Sequence, residues 1–314
     1  MRMRAVATRL SDGREVPLEH AVQLQVTASL STPARSMSGS FVVARPPGKL
    51  GAVRVYGEGG LIFDGSVDRQ QVALSQKGML LEVEARSKGA LLLDNEALPC
   101  ALANVHLGAV FSRFIAPYGF VCYNPNPSRT LSIYTVRGGS SEWEALCGFT
   151  RRAWGITPYV DGDMVRIASP GSGSALTISN SGGGTAFSKL EQAYIPYKMI
   201  SQVILRDEWG NYSAAVSNAS APYHGVRRKR YVIPSTEFVD SPALDANQRI
   251  RRSMLESEQV VATLPGLVPA KIGQPVQVLD KAFMLYNLLV RELMWQQDSD
   301  GVVTRLWLAS SVYY

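Results

Sequence analysis

The sequence predicts an α+β protein, mostly β, made of two antiparallel β-barrel-like units with a small α/β insert and one long helix. Three observations carry this prediction. Apolar and polar residues alternate over short runs, broken by glycine-bearing turns, across residues 1–88 and again across 188–314. Between them, over 89–170, a 3.6-residue apolar period appears twice. A third helical period starts at Ser241, inside the second β-rich unit.

In the first unit, "AVQLQVTASL" and "SGSFVVA" carry the β-branched bias of strands. In "AVRVYGEGGLIFDGSVD", Val53 and Val55 alternate, glycines supply a turn, and Leu61 and Phe63 resume the alternation, so a hairpin is expected. "MLLEVEARS" adds a strand from Met79 to Ala85. In the insert, "NVHLGAVFSRFIAPYG" puts Leu107, Val110, Phe111, Phe114 and Ile115 on one helical face, with Asn104 as the expected N-cap and Pro117 and Gly119 closing the segment. Ser141 and Glu144 have the spacing of a capping box, in which hydroxyl and carboxylate satisfy each other's free backbone N–H groups. The helix behind them presents Trp143, Leu146, Cys147, Ala153 and Trp154 on one face. "PYVDGDMVRIAS" reads as a tight hairpin on Asp161-Gly162.

Residues 171–187, rich in glycine and serine, read as a flexible linker. Beyond it, "KMISQVILRDEWGNYSAAVSN" is a hairpin turning at Trp209-Gly210-Asn211. A helix is expected over 241–263, with Ser241 as N-cap, Pro242 at the first helical position and a buried stripe of Ala243, Ala246, Ile250, Met254 and Val261. "QPVQVLD" and the hairpin "LLVRELMWQQDSDGVVTRLWLAS", where Leu306 and Leu308 alternate with Arg305 and Trp307, close the unit.

Composition narrows the function. Charged residues make up 18% of the 314, fewer than the usual quarter, which suits a β-rich protein whose surface is covered by partners. The net charge of +6 permits contact with an anionic surface and clusters in Arg227–Arg230 and in Arg249, Arg251 and Arg252. Cys100, Cys122 and Cys147 form no C-x-x-C pair and read as reduced core thiols of a protein made in a cytosol. "MRMRAVATRLSDGREV" has no apolar run behind its basic residues, so no signal peptide is expected, and no apolar stretch is long enough to span a membrane.

Catalytic signatures are missing. His20, His106 and His224 lie in three different regions, and neither a nucleophile elbow nor metal-ligand spacing accompanies them. His106 reads as structural, beside the first helix. "SGGGTAFS" lacks the phosphate-loop pattern. Of the carboxylate pairs, Glu144 has its capping explanation and Glu256/Glu258 read as a solvated helix face. No enzyme activity, cofactor or metal is expected.

Four stretches, taken in order, resemble the baseplate hub proteins of contractile-tailed phages, the Mu-like tail protein family, related to the hub part of type VI secretion spike proteins. The first, "VRVYGEGGLIFDGSVDRQQVALSQKGMLLEVEARSKGALLLDNEA", carries the F-x-G-x-V-D turn and then a strand ending in "ARSK". "SEWEALCGFTRRAWGITPYVDGDMVRIA" is similar to the family's helix-plus-hairpin middle domain. "RRKRYVIPSTEFVDSPALDANQRIRRSMLESEQ" resembles its basic strand and long helix, and "IGQPVQVLDKAFMLYNLLVRELMWQQDSDGVVTRLWLAS" its closing β-segment. The chain departs from the family where Met254 or Leu255 replaces a tryptophan, and it stops at Tyr314 without a spike or enzyme extension.

The resemblance implies a homotrimeric ring in the virion tail baseplate, assembled in the bacterial cytoplasm. That ring would join the sixfold tail tube protein to the threefold central spike protein, with transient passage of DNA and no membrane insertion. A tail-associated cell-wall hydrolase or carbohydrate-binding component is the alternative. Exposed Trp209, Tyr212, Tyr313 and Tyr314 would supply buried contacts between subunits, or pack within their own domains. Arg227, Arg228, Lys229 and Arg230 are the expected inter-subunit or lumen contacts. The same four residues also fit a strand edge blunted by charge or, lacking interleaved aromatics and a helix-turn-helix, a poor nucleic-acid module.

Overall fold

The structure is a computed structural model that describes residues 2–234 and 242–314. Seven strands build the first unit: β1 (Arg4–Arg9), β2 (Glu15–Leu18), β3 (Ala21–Ser29), β4 (Ser36–Val43), β5 (Leu50–Gly57), β6 (Gly60–Ser75) and β7 (Gly78–Ser87). Alternate residues point inward, so Leu24, Val26, Met37, Phe41, Val53, Val55, Phe63, Leu81 and Val83 are all buried. Leu61 departs from expectation and is 52% exposed. The β5–β6 register shifts between Val55 and Tyr56, which face Phe63 and Leu61. The extra residue, Ile62, packs on the core in place of Leu61.

The insert contains α1 (Leu91–Asp94), β8 (Cys100–His106), α2 (Leu107–Phe114), β9 (Val121–Tyr123), β10 (Thr130–Val136), α3 (Glu142–Trp154), β11 (Tyr159–Asp161) and β12 (Met164–Arg166). It has a separate core, in which Leu92, Val110, Phe114, Leu146, Phe149 and Ile167 are fully enclosed. The capping box of α3 forms as expected, with Ser141 Oγ accepting from Glu144 N at 3.2 Å and Glu144 Oε2 accepting from Ser141 N at 2.8 Å. The cap of α2 is a correction. His106, not Asn104, is the N-cap, its Nδ1 accepting from Ala109 N at 3.3 Å. Asn104 instead sits within β8 at φ 48°, a left-handed conformation that asparagine tolerates better than most residues.

The Gly/Ser stretch 171–187 is not purely a linker, because β13 (Leu176–Ile178) forms inside it. Its apolar Leu176 and Ile178 give it a parallel partner in the second unit. That unit comprises β14 (Lys189–Tyr194), β15 (Gln202–Arg206), β16 (Tyr212–Ser217), β17 (Lys229–Val232), α4 (Pro242–Ser257), β18 (Glu258–Pro265), β19 (Pro275–Leu279), β20 (Met284–Asp298) and β21 (Gly301–Ser310). The helix expected over 241–263 ends at Ser257, and Glu258 starts a strand. From there the burial period falls from 3.6 to two: Val260, Ala262 and Leu264 are buried and Val261 is not. Ala243 also leaves the expected stripe and is exposed, whereas Ala246, Ile250 and Met254 are buried. The Ser241 cap falls outside the described residues.

Strand β20 is long enough to join the two β-rich units. Its first half pairs with β19, and Glu292 to Gln297 pair antiparallel with Ser29 to Leu24 of β3. A 13-stranded sheet results, in the order β14-β18-β21-β20-β3-β4-β7-β6-β5-β1-β2, with β19 and β13 branching from β20. One hydrophobic core runs along it, from Val53 and Phe63 to Val278 and Leu306. At the junction Trp295 is buried and its Nε1 donates to Val268 O at 2.9 Å. Among the described residues no sheet closes into a barrel. The molecule is mostly β, and no described helix is long and apolar enough to cross a membrane.

Candidate functional site: a cationic, tyrosine-lined face

A second sheet, β16-β15-β17, packs one face on α4 through Val203, Leu205, Ala246 and Ile250. Arg227 to Arg230 lead into and begin β17, its edge strand, which runs parallel to β15 with Gln202 opposite Lys229 and Leu205 opposite Val232. Arg228 is the anchored member. Its carbonyl accepts from Ser201 N (2.9 Å), Ser201 Oγ (2.7 Å) and Gln202 N (3.2 Å). Its guanidinium lies 6.0 Å from the centre of the Tyr197 ring and donates to Met199 O at 3.5 Å. Arg227, Lys229 and Arg230 are exposed, and among the described residues none of the four makes an ion pair.

Four tyrosines stand out beside them: Tyr194 is 50% exposed, Tyr197 65%, Tyr223 90% and Tyr231 64%. Tyr194 Oη and His224 Nδ1 share a hydrogen bond of 2.8 Å, which ties the loop carrying Tyr223 to the end of β14. Tyr231 meets Tyr212 edge to face, with ring centres 5.3 Å apart. The sequence reading missed all four, Tyr194, Tyr197, Tyr223 and Tyr231. A signal for them was present, since no Asp or Glu occurs from Gln192 to Arg206 or from Tyr212 to Pro234, while tyrosines recur through both segments.

The other candidates scatter. Trp209, at the tip of the β15–β16 hairpin, is 80% exposed. Tyr313 and Tyr314 are half-buried on their own chain, and Tyr314 packs near Leu30, Tyr159 and Leu289. Cys147 is buried as expected, but Cys122 lies exposed on β9, the edge of the β11-β12-β9 sheet. Glu256 lies in the last turn of α4, paired with Arg252 at 3.1 Å, and Glu258 begins β18, so they share no helix face. Burial raises the Glu142 carboxyl above the ordinary range, with Arg113 opposing, and its Oε2 is enclosed without a hydrogen-bond partner. Glu144 is committed to the cap, so no second free carboxylate accompanies it.

No group of three His, Cys, Asp or Glu residues suited to a metal occurs among the described residues. Two concavities of about 270 and 250 Å³ lie on strands of the large sheet. Gln23, Ser38, Ser40 and the paired Arg69 and Glu84 border the first, and Gln25, Thr27 and Trp307 the second. Neither assembles a nucleophile with a base.

Solved structures share this architecture from end to end. A 43 kDa tail protein of prophage MuSo2 from Shewanella oneidensis superposes with a TM-score of 0.80 at 16% identity, covering 99% of both chains. The chain has a phage tail-protein fold. A tail protein from Neisseria meningitidis matches with a TM-score of 0.78 at 15% identity, over 99% of this chain and 97% of that one. An Escherichia coli component of the type VI secretion system, described as structurally similar to the T4 phage tail proteins gp27 and gp5, matches at 0.58 and 11% identity over 93% and 73%. No family profile matches the chain, and no curated protein does. The tail-protein fold thus agrees with the resemblance carried by the four sequence stretches.

Proposed function

We infer that this chain is a non-enzymatic structural protein of the tail baseplate of a phage or a related injection particle. In this reading three copies close into a ring that joins a sixfold tube to a threefold spike. One observation carries it: the fold matches phage tail proteins over essentially the whole of both chains. The relation to a secretion-system component described as similar to gp27 and gp5 supports the same role.

The sheet supplies a physical motive for the ring. Among the described residues, strands β14 and β2 end the main path of the 13-stranded sheet with unpaired edges, and edges of this kind are stabilised by pairing or cover. Closed symmetry would bring one protomer's edge to the next. The tail location and the tube and spike partners belong to this proposal.

Light scattering on the purified protein tests it. With a chain of 34.2 kDa, a closed trimer has a mass of about 100 kDa. A stable mass of one chain at every concentration, together with a cleared zone on a peptidoglycan zymogram, would replace the hub with the hydrolase alternative.

A further inference from the structure

The two β-rich units repeat one strand arrangement, β3-β4-β7-β6-β5 in the first and β14-β18-β21-β20-β19 in the second. From β5 to β7 the match is residue for residue. Laid on β19 to β21 without a gap, Val53, Val67 and Gly78 fall on Val276, Val290 and Gly301. The pairs Ala52–Ser66 and Tyr56–Leu61 fall on Pro275–Leu289 and Leu279–Met284. Asp68, the extra residue of the β6–β7 ladder, falls on Arg291, the extra residue of the β20–β21 ladder. The flanking strands keep the same register. Val26 opposite Met37, itself opposite Ala85, corresponds to Gln192 opposite Val260, itself opposite Leu308.

One contact in this pattern is made once rather than twice. The second half of β20, Glu292 to Gln297, takes β3 as its outer neighbour. Its counterpart in β6 is Arg69 to Leu74, which pairs with β7 alone, because the β5 ladder reaches no further than Ser66. The counterpart of β3 is β14, which pairs with β18 alone. Among the described residues both edges are therefore open, and within one copy β18, β21, β20, β3, β4 and β7 lie between them. The side chains on β6 agree. Val72 stands opposite the buried Leu81 on the core side of the sheet, and Leu74 follows it opposite Met79, yet they are 37% and 77% exposed. Trp295, in the place of Val72, is buried beside Val26 of β3.

We propose that Arg69 to Leu74 of one copy pair antiparallel with β14 of a second copy, repeating between chains the junction that β20 and β3 make within one. The register follows from the match: Gln71 opposite Ala193, Val72 opposite Gln192 and Leu74 opposite Leu190. Leu190 already packs on the core, so Leu74 carries that core from one copy into the next. The pairing also satisfies backbone N–H and C=O groups that both edges otherwise leave to water. Because the two surfaces differ, the contact is head-to-tail. The edge that receives β14 is thus β6 and not β2. The inference rests on the reading that copies of this chain assemble, but not on how many close the ring.

Disulfide trapping tests it. One full chain carries Gln71→Cys and another Ala193→Cys, each with the exposed Cys122 changed to serine, and the two are mixed and oxidised. A disulfide joining two chains is expected in the mixture, since opposed residues of an antiparallel pair lie within disulfide reach. Neither chain alone should form it, nor should Gln71→Cys mixed with Lys189→Cys, four residues out of register. Leu74→Lys should raise the concentration at which copies separate about tenfold or more in light scattering. Leu98→Lys, at an exposed leucine of the insert, should leave it unchanged. A threefold particle that never forms the disulfide overturns the pairing and leaves the ring standing. The disulfide in open chains of copies upholds the pairing and removes the ring. A disulfide from Ala193→Cys alone, in which β14 meets β14, or one with Lys189→Cys, overturns the proposal. Chains that stay single at every concentration without a disulfide overturn both.

Discussion

At Gly65 of β6, an added methyl group would lie 2.3 Å from the Arg86 carbonyl oxygen and 2.6 Å from the Phe63 ring. Phe63 is buried, and its ring closes over the glycine while β7 runs alongside. The F-x-G pattern in the sequence is therefore a packing requirement: the ring and the neighbouring backbone fill the space a side chain would need. Gly65→Ala should cost about 2 kcal/mol or more, because the β7 backbone cannot retreat without breaking its ladder. A urea titration checks this, and a midpoint equal to that of the parent protein would contradict it. At this scale the sequence was legible wherever the signal was local. The Ser141–Glu144 box is such a case, since both groups lie within one turn. Leu61 was not legible, because its exposure comes from a register shift across two strands that alternation within one strand cannot show. The cap of α2 failed for a related reason. A histidine ring replaced the commoner cap residues, and Asn104 was taken up by the preceding strand.

Elements were legible where one period dominated and illegible where two periods met. Across Ser257 the chain changes from helix to strand without a glycine or proline to mark the boundary. Val261 fits the continued helical stripe, yet Val260 and Ala262 bear on the core. The β-branched run Val260-Val261 and the antiparallel partners on both sides, β14 and β21, favour the strand. Val260→Asp should therefore destabilise the protein by about 3 kcal/mol or more, since it buries an unpaired charge. Val261→Asp should cost about 1 kcal/mol or less. Thermal melting of the two variants decides the point, and the reverse ranking would restore the longer helix. The strand within the Gly/Ser stretch escaped for a different reason. Three residues are too few for a period to register, and β13 exists because β19 lies ready to pair with it.

For the whole molecule, the succession of β-rich unit, insert and β-rich unit could be read from the chain, but their union could not. The Glu292–Gln297 pairing with β3 links residues more than 250 positions apart, and nothing local in either strand names the other. The site was half legible. Four cations in a row draw the eye, whereas the tyrosines around them come from three segments that only the fold brings together. Electron-microscope class averages of the purified full chain test the closed ring: a threefold particle with a central opening is expected. Single particles of one chain, or twofold pairs, at every concentration would contradict it.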